Sequence, residues 1–371
     1  MKLTKIVVDQ AVSDLPETAS FLAAANCPVE IVSSPHLLYE AVSQSEEPAT
    51  LGKTLLFLTE NKGPFLKDCP GTSHYTCCNY RILHIGNYCS MDCSYCILQA
   101  YFHPPVLQYF MNQDKLFREL EELYASKKLY RIGTGEFTDS LIWESMSNLT
   151  GRLVKSFAGQ QTSILELKTK TASVQVLRNL DHNRKTILAW SLNTESVIQS
   201  EERRTASLEA RLKAAAACES YGYPLAFHFD PLVVYDGCEA EYLAVINKIF
   251  DSVSPENIVW ISLGSFRFIP SLKPIIQKRF PRSKIVYGEF ITGLDGKMRY
   301  FKPLRIRLYQ KLVSAIRNIA PDIPVYFCME DDEVWKKTMG FTPSEHECGS
   351  LPRMLDQSAI RHCDLHDFIQ E

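Results

Sequence analysis

Apolar, β-branched runs recur along the chain, separated by helical stretches. The runs predict strands at 5–8, 29–32, 55–58, 82–85, 130–132, 164–167, 187–192, 225–229, 258–263, 284–287 and 325–327. Between them, helices are predicted at 16–25, 114–126, 208–221, 239–251, 272–279, 304–319 and 332–339. Strands that alternate with helices imply βα units and a mostly parallel sheet. About six such units follow residue 80, fewer than the eight of a closed (β/α)8 barrel. The expected fold is therefore α/β: a partial (β/α)6 TIM-like barrel over 76–330, with a small N-terminal α/β extension over 1–75 and an irregular C-terminal cap over 331–371. Folds of this kind keep their chemistry in loops at the carboxyl ends of the strands. The segments after Ile85, Ile132, Leu167, Leu192 and Phe229 are the places to search.

The composition of the 371 residues, 46% hydrophobic and 22% charged, excludes disorder, collagen-like repeats and a coiled-coil rod. A net charge of −3 argues against a polycation that grips nucleic acid by charge alone. No run approaches the roughly 18 apolar residues of a membrane span, and the start MKLTKIVVDQ lacks the apolar core of a secretion signal. A cytoplasmic protein without membrane contact is expected. Twelve cysteines are many for a reducing compartment, where stable disulfides are rare. A chain this long buries enough core without covalent staples, which makes metal ligation the first use of the cysteines to consider.

Three of them sit within eight residues, in Cys89-Ser-Met-Asp-Cys93-Ser-Tyr95-Cys96. Thiolates at C-x3-C-x2-C spacing can wrap one soft metal centre, as in iron–sulfur proteins. With no fourth cysteine in the motif, one iron of a [4Fe–4S] cluster lacks a protein ligand and is open to a small molecule. Two other readings stay open on these residues alone: buried free thiols, and a structural zinc site, although zinc usually takes four protein ligands. One strand later stands Arg131-Ile-Gly133-Thr-Gly135-Glu136, where glycines permit close backbone approach and a carboxylate can accept from an ammonium.

The C-x3-C-x-aromatic-C loop after the first barrel strand resembles the radical S-adenosylmethionine superfamily. Within it, the chain resembles the spore photoproduct lyase family. The likeness is carried by Cys93-Ser-Tyr-Cys-Ile-Leu-Gln99, Gln108-Tyr-Phe-Met-Asn112, Thr169-Lys170, Trp190-Ser-Leu-Asn193, Ala210-Arg-Leu212 before Gly222-Tyr223, Phe280-Pro281 and Arg299-Tyr300. It implies that Cys89, Cys93 and Cys96 bind a [4Fe–4S] cluster whose open iron is chelated by S-adenosylmethionine. Reductive cleavage of that cosubstrate, with electrons from a donor such as flavodoxin or ferredoxin, then yields a 5′-deoxyadenosyl radical. It further implies that Tyr95 lies near the adenine, that Gly133, Gly135 and Glu136 meet the methionine amino group, and that Lys170 and Ser191 contact its carboxylate or ribose. Asn193 and Asp230, also at strand ends, are weaker members of the same set. Glu136 and Tyr95 are the candidate catalytic residues.

The chain departs from that family at two positions. The residue matching Glu136 is there a cysteine that returns a hydrogen atom to the product radical, and Ile97 matches the tyrosine that assists it. A carboxylic O–H bond is too strong to replace a thiol in that step. The family's basic hairpin beside damaged DNA corresponds to residues 296–307, where Lys297, Arg299, Lys302, Arg305 and Arg307 flank Tyr300 and Phe301. This mixture suits phosphate tracking and base stacking, and equally a solvated basic helix start. Cys69, Cys77, Cys78, Cys348 and Cys363 read as ordinary thiols, and the histidines show no zinc-ligand spacing. The expected activity is radical chemistry on a DNA or nucleotide lesion. The alternatives are a radical enzyme acting on a peptide or small metabolite, and a non-catalytic iron–sulfur or zinc protein.

Overall fold

The computed structural model describes residues 3–72 and 74–365. Its main sheet has eight strands in the order Val325–Phe327, Ile258–Ser265, Leu225–Leu232, Thr186–Ser191, Ser163–Thr169, Tyr130–Gly133, Arg81–Leu83 and Leu66–Asp68. Neighbours run parallel throughout, except that Leu66–Asp68 pairs antiparallel with Arg81–Leu83 at one edge. The result is a curled half-barrel of six βα steps and a seventh parallel strand. The strands Thr186–Ser191 and Ile258–Ser265 are buried at every position. That is why they read as unbroken apolar runs: helices cover one face while side chains fill the other.

Helix starts follow local chemistry. Thr194 caps Glu195–Glu201 by accepting from the Val197 amide, and Ser207 caps Leu208–Ser220 by accepting from the Ala210 amide. A second sheet, in the order Val29–Val32, Lys5–Asp9, Leu55–Thr59, Leu107–Phe110 and Gly86–Asn87, forms the N-terminal layer. Its last two strands flank the cysteine segment, so residues 88–106 hang between the two sheets. A small antiparallel sheet joins Arg267–Phe268, Met298–Tyr300 and Phe290–Thr292.

Two expectations change. The β-branched residues at 284–287 do not form a strand. The Tyr287 amide bonds to the Lys284 carbonyl in a turn, and Ile285 and Val286 are buried in a satellite apolar cluster instead. The C-terminal region is not irregular: Leu351–His362 is a helix capped by Ser350, burying Leu351, Met354, Leu355, Ser358 and Ala359. Ser358 Oγ donates to the Val259 carbonyl at 2.6 Å, and Asp356 pairs with buried Arg131 at 2.7 Å. Leu351, Met354, Leu355 and Ala359 recur at helical spacing, a periodicity the sequence reading overlooked, with Ser358 the one polar member of the buried face. Positions 366–371 of the expected cap lie outside the described residues.

Candidate active site at the barrel mouth

The cysteine segment is held by groups far away in the chain. Lys53, buried in the N-terminal layer, donates to the Cys89 carbonyl at 2.7 Å and to the Met91 carbonyl. Its ammonium also lies 4.2 Å from the centre of the Tyr88 ring and 3.7 Å from Asp92. The Asp92 amide bonds to the Arg203 carbonyl, the Ser94 amide to the Glu201 carbonyl, and Arg279 pairs with Asp92 at 3.0 Å. With its backbone satisfied this way, the loop presents three thiols in a largely buried place. Burial pushes the Cys89 thiol up to about 12, helped by Asp139 and opposed by Lys53. Burial also raises Cys93 strongly, with Glu202 adding to it and Lys170 opposing. Thiolates persist in such surroundings only against a positive centre, and this donor set fits a soft metal cluster.

Around the loop the strand ends bring together most of the expected residues. The Tyr95 hydroxyl donates to Glu202, which also pairs with fully buried Arg211. The Lys170 ammonium stands 5.8 Å from the Tyr95 ring centre. Arg211 donates to the Ser191 carbonyl at 2.8 Å and to the Ala206 carbonyl at 2.9 Å, which ties the Ser191 strand end to the same network. Burial works against the Glu202 carboxylate, but Lys170 and Arg211 hold its pKa below the ordinary glutamate value. Asp139 is buried and accepts from Thr169 Oγ1 and the Lys170 amide, both at 2.8 Å.

The two glycines are required by protein neighbours. A Cβ on Gly133 would lie 1.5 Å from the Tyr80 hydroxyl, and one on Gly135 would lie 2.9 Å from the Lys168 Cβ. Asn193 is buried and fully engaged internally: its Nδ2 donates to the Pro231 carbonyl, and its Oδ1 accepts from Tyr242 and from the Thr194 amide. It braces the strand ends and presents no free group.

The mouth opens into a cavity of about 530 Å³ lined by Tyr95, Cys96 and Ile97 on one side and by Glu136, Lys168 and Asp230 on another. Glu136 is 3.8 Å from Lys168, Glu166 is 2.7 Å from His228, and Asp230 is 3.3 Å from Arg267. Burial disfavours the Lys168 ammonium, yet Glu136, Glu166 and Asp230 together keep its pKa raised. Cys69, Cys77, Cys78 and Cys328 line the same cavity. Sequence reasoning passed over these four because no ligand spacing links them. Cys348 and Cys363 are buried in the C-terminal region and do not line the cavity.

The basic stretch is less available for phosphate than its composition suggests. Arg299 pairs with Asp295 and stacks over Tyr75, Lys302 pairs with Asp331 and Glu333, Arg305 with Glu330, and Arg307 with Glu239. Tyr300 is buried, its hydroxyl accepting from the Val234 amide. Lys297 pairs with Asp295 and also lines the cavity, while Leu294, Ile291 and Phe301 are exposed nearby.

The profile of the family described as "Spore photoproduct lyase" matches residues 72–301. The spore photoproduct lyase of Clostridium acetobutylicum is 28% identical over 228 residues, a match that spans 60% of this chain and 65% of that protein. The Bacillus subtilis enzyme is 25% identical over 251 residues, 64% of this chain and 73% of that protein. A solved variant of spore photoproduct lyase with bound S-adenosylmethionine and dinucleoside spore photoproduct superposes with a TM-score of 0.77 at 18% identity. That match covers 88% of this chain and 99% of the solved one. A second solved variant, with the dinucleoside alone, gives 0.78 at 19% identity with the same coverage. The half-barrel architecture is thus shared, and among the described residues no helix is long and apolar enough to cross a membrane. The three-thiol loop and the matched span together identify the chain as a member of the spore photoproduct lyase family of radical S-adenosylmethionine proteins.

Proposed function

We propose that this protein is a radical S-adenosylmethionine enzyme that reverses a spore-photoproduct-type thymine lesion in DNA. The observation that carries the proposal is the three-thiol loop of Cys89, Cys93 and Cys96, of which Cys96 lines a 530 Å³ cavity, in a chain of this family. Those cysteines hold a [4Fe–4S] cluster. Tyr95, Gly133, Gly135, Glu136, Lys170 and Ser191 border the cosubstrate, with Asn193 bracing the strand ends beneath it. Cluster and cosubstrate together supply a one-electron cleavage that generates a hydrogen-abstracting carbon radical. The protein's own task is to orient the lesion and exclude water and stray hydrogen donors. A cytoplasmic low-potential donor, flavodoxin or ferredoxin in kind, supplies the electron. DNA is held with Lys297 and the exposed apolar tip around Leu294 at the cavity rim.

A second reading is favoured by one observation. Glu136, Lys168, Asp230 and Arg267 make the cavity wall strongly charged, which suits a polar metabolite or peptide. The test uses anaerobically reconstituted protein, S-adenosylmethionine, dithionite and a dinucleotide carrying the lesion. Lesion-dependent release of repaired thymine supports the first reading. Formation of 5′-deoxyadenosine without repair supports the second.

A further inference from the structure

Glu136 leaves the proposed reaction without the thiol that would return hydrogen to the product radical, and the cavity offers four others. They differ in what their hydrogens do. Cys77 is the exposed thiol of the four and its Sγ accepts from the Asn79 amide at 3.4 Å, while Cys78 faces Cys77, which draws the Cys77 thiol below and the Cys78 thiol above the usual range. Cys69 stands on the irregular segment that follows Leu66–Asp68. Cys328 directly follows the strand Val325–Phe327. Cys328 and Tyr326 both line the cavity, and Phe327 between them packs on Tyr309 and Trp335. Arg267, itself paired with Asp230, donates to Cys328 Sγ at 3.3 Å. A sulfur that accepts from a fixed guanidinium is held in place with its own hydrogen free. Burial pushes the thiol up to about 11 against the opposing charge of Arg267, with Asp230 and Glu136 adding to the rise, which keeps it protonated at neutral pH.

We infer that Cys328 is the hydrogen-atom donor to the substrate-derived radical, an assignment that rests on the lesion-repair function proposed above. In the step, the Cys328 S–H bond breaks homolytically and a C–H bond forms on the product, leaving the unpaired electron on Sγ. One electron from the low-potential donor and one solvent proton restore the thiol. The donor has thus moved across the cavity, from the loop after Tyr130–Gly133 to the end of the seventh parallel strand.

Thiol hydrogens exchange with solvent, so turnover in deuterium oxide marks the donor. Wild-type enzyme is expected to place one deuterium in the repaired thymine. Cys328→Ser, whose O–H bond is too strong to give up its hydrogen atom, is expected to lower that labelled product at least about tenfold, a modest demand given the exponential dependence of rate on barrier, while 5′-deoxyadenosine is still formed. Cys69→Ser and Cys78→Ser are expected to keep the label. Unchanged labelling in Cys328→Ser, or loss of the label in Cys78→Ser or Cys69→Ser alone, overturns the assignment. A wild type that shows no repair overturns the parent function instead. Independently of turnover, the lesion dinucleotide is expected to protect Cys328 of the cluster-free protein from N-ethylmaleimide, read by peptide mass spectrometry. Unchanged alkylation of Cys328 under saturating dinucleotide counts against it. Circular dichroism and cluster absorbance matching wild type separate Cys328→Ser from a folding failure.

Discussion

Replacing Lys53 by methionine tests whether the N-terminal layer builds the cluster loop. Lys53 is 3% exposed and its ammonium serves two buried carbonyls, those of Cys89 and Met91. Each charge-assisted hydrogen bond contributes about 1.5–3 kcal/mol, so losing both costs about 3–6 kcal/mol before compensation. Methionine keeps the buried stem and adds little new apolar burial, on the order of one methyl group or about 0.8 kcal/mol. It also removes the cost of holding a charge out of water. Asp92 loses Lys53 but keeps Arg279 at 3.0 Å, so no carboxylate is stranded. A net loss of about 3 kcal/mol is expected. The assay is denaturant unfolding of the cluster-free protein alongside iron and sulfide content after reconstitution. Iron content is expected to fall with stability, because the carbonyls that Lys53 holds belong to the segment carrying Cys89 and Cys93. A stability change below about 1 kcal/mol with full iron content would refute the bracing role.

Three further outcomes follow from the geometry. Cys93→Ala should abolish the brown cluster chromophore and bring iron content to background, whereas a retained cluster would remove Cys93 from the ligand set. Gly133→Ala places a methyl 1.5 Å from the Tyr80 hydroxyl and 2.8 Å from the Glu166 carbonyl. It should cost about 1–3 kcal/mol or more by overpacking, read as a lowered melting temperature. Glu144 is pushed up to about 7 by burial. Its neutral form therefore favours the folded state, and that contribution, complete below the unfolded value of about 4.3, is lost as pH rises through about 7. Glu144→Gln should flatten this part of the stability profile, gaining on wild type by about 1–2 kcal/mol at pH 8 after allowance for screening at a half-buried site. Parallel profiles for the two proteins would count against it.

Much of this architecture is legible in the chain because it is encoded locally. The cysteine triad is complete within eight residues, and nearly all of the barrel strands announce themselves as buried apolar runs. What stayed hidden depends on distant partners. Lys53 reads as a surface lysine until the fold lays it on the cysteine loop. Arg211 enters the sequence reading only within the Ala210-Arg-Leu212 match, and nothing in sequence order shows that it is fully buried against Glu202 and the Ser191 carbonyl. The residues at 284–287 have strand propensity, but a turn wins because apolar packing buries Ile285 and Val286 without a pairing edge. The cavity thiols at 69, 77, 78 and 328 come together only when the two edges of the sheet curl toward each other, which no spacing rule contains. Apart from the local partner Asp295, the basic residues of 297–307 likewise find acidic partners at Glu239, Glu330, Asp331 and Glu333 that sequence order does not pair with them.

The central claim is that three thiols of one loop hold a cluster whose remaining iron is left for S-adenosylmethionine. Electron paramagnetic resonance of the dithionite-reduced protein, recorded with and without that cosubstrate, tests it most directly. A [4Fe–4S] signal is expected in the wild type that changes on addition of S-adenosylmethionine and is absent from Cys93→Ala. A colourless protein that retains zinc, or a cluster signal indifferent to the cosubstrate, would contradict it.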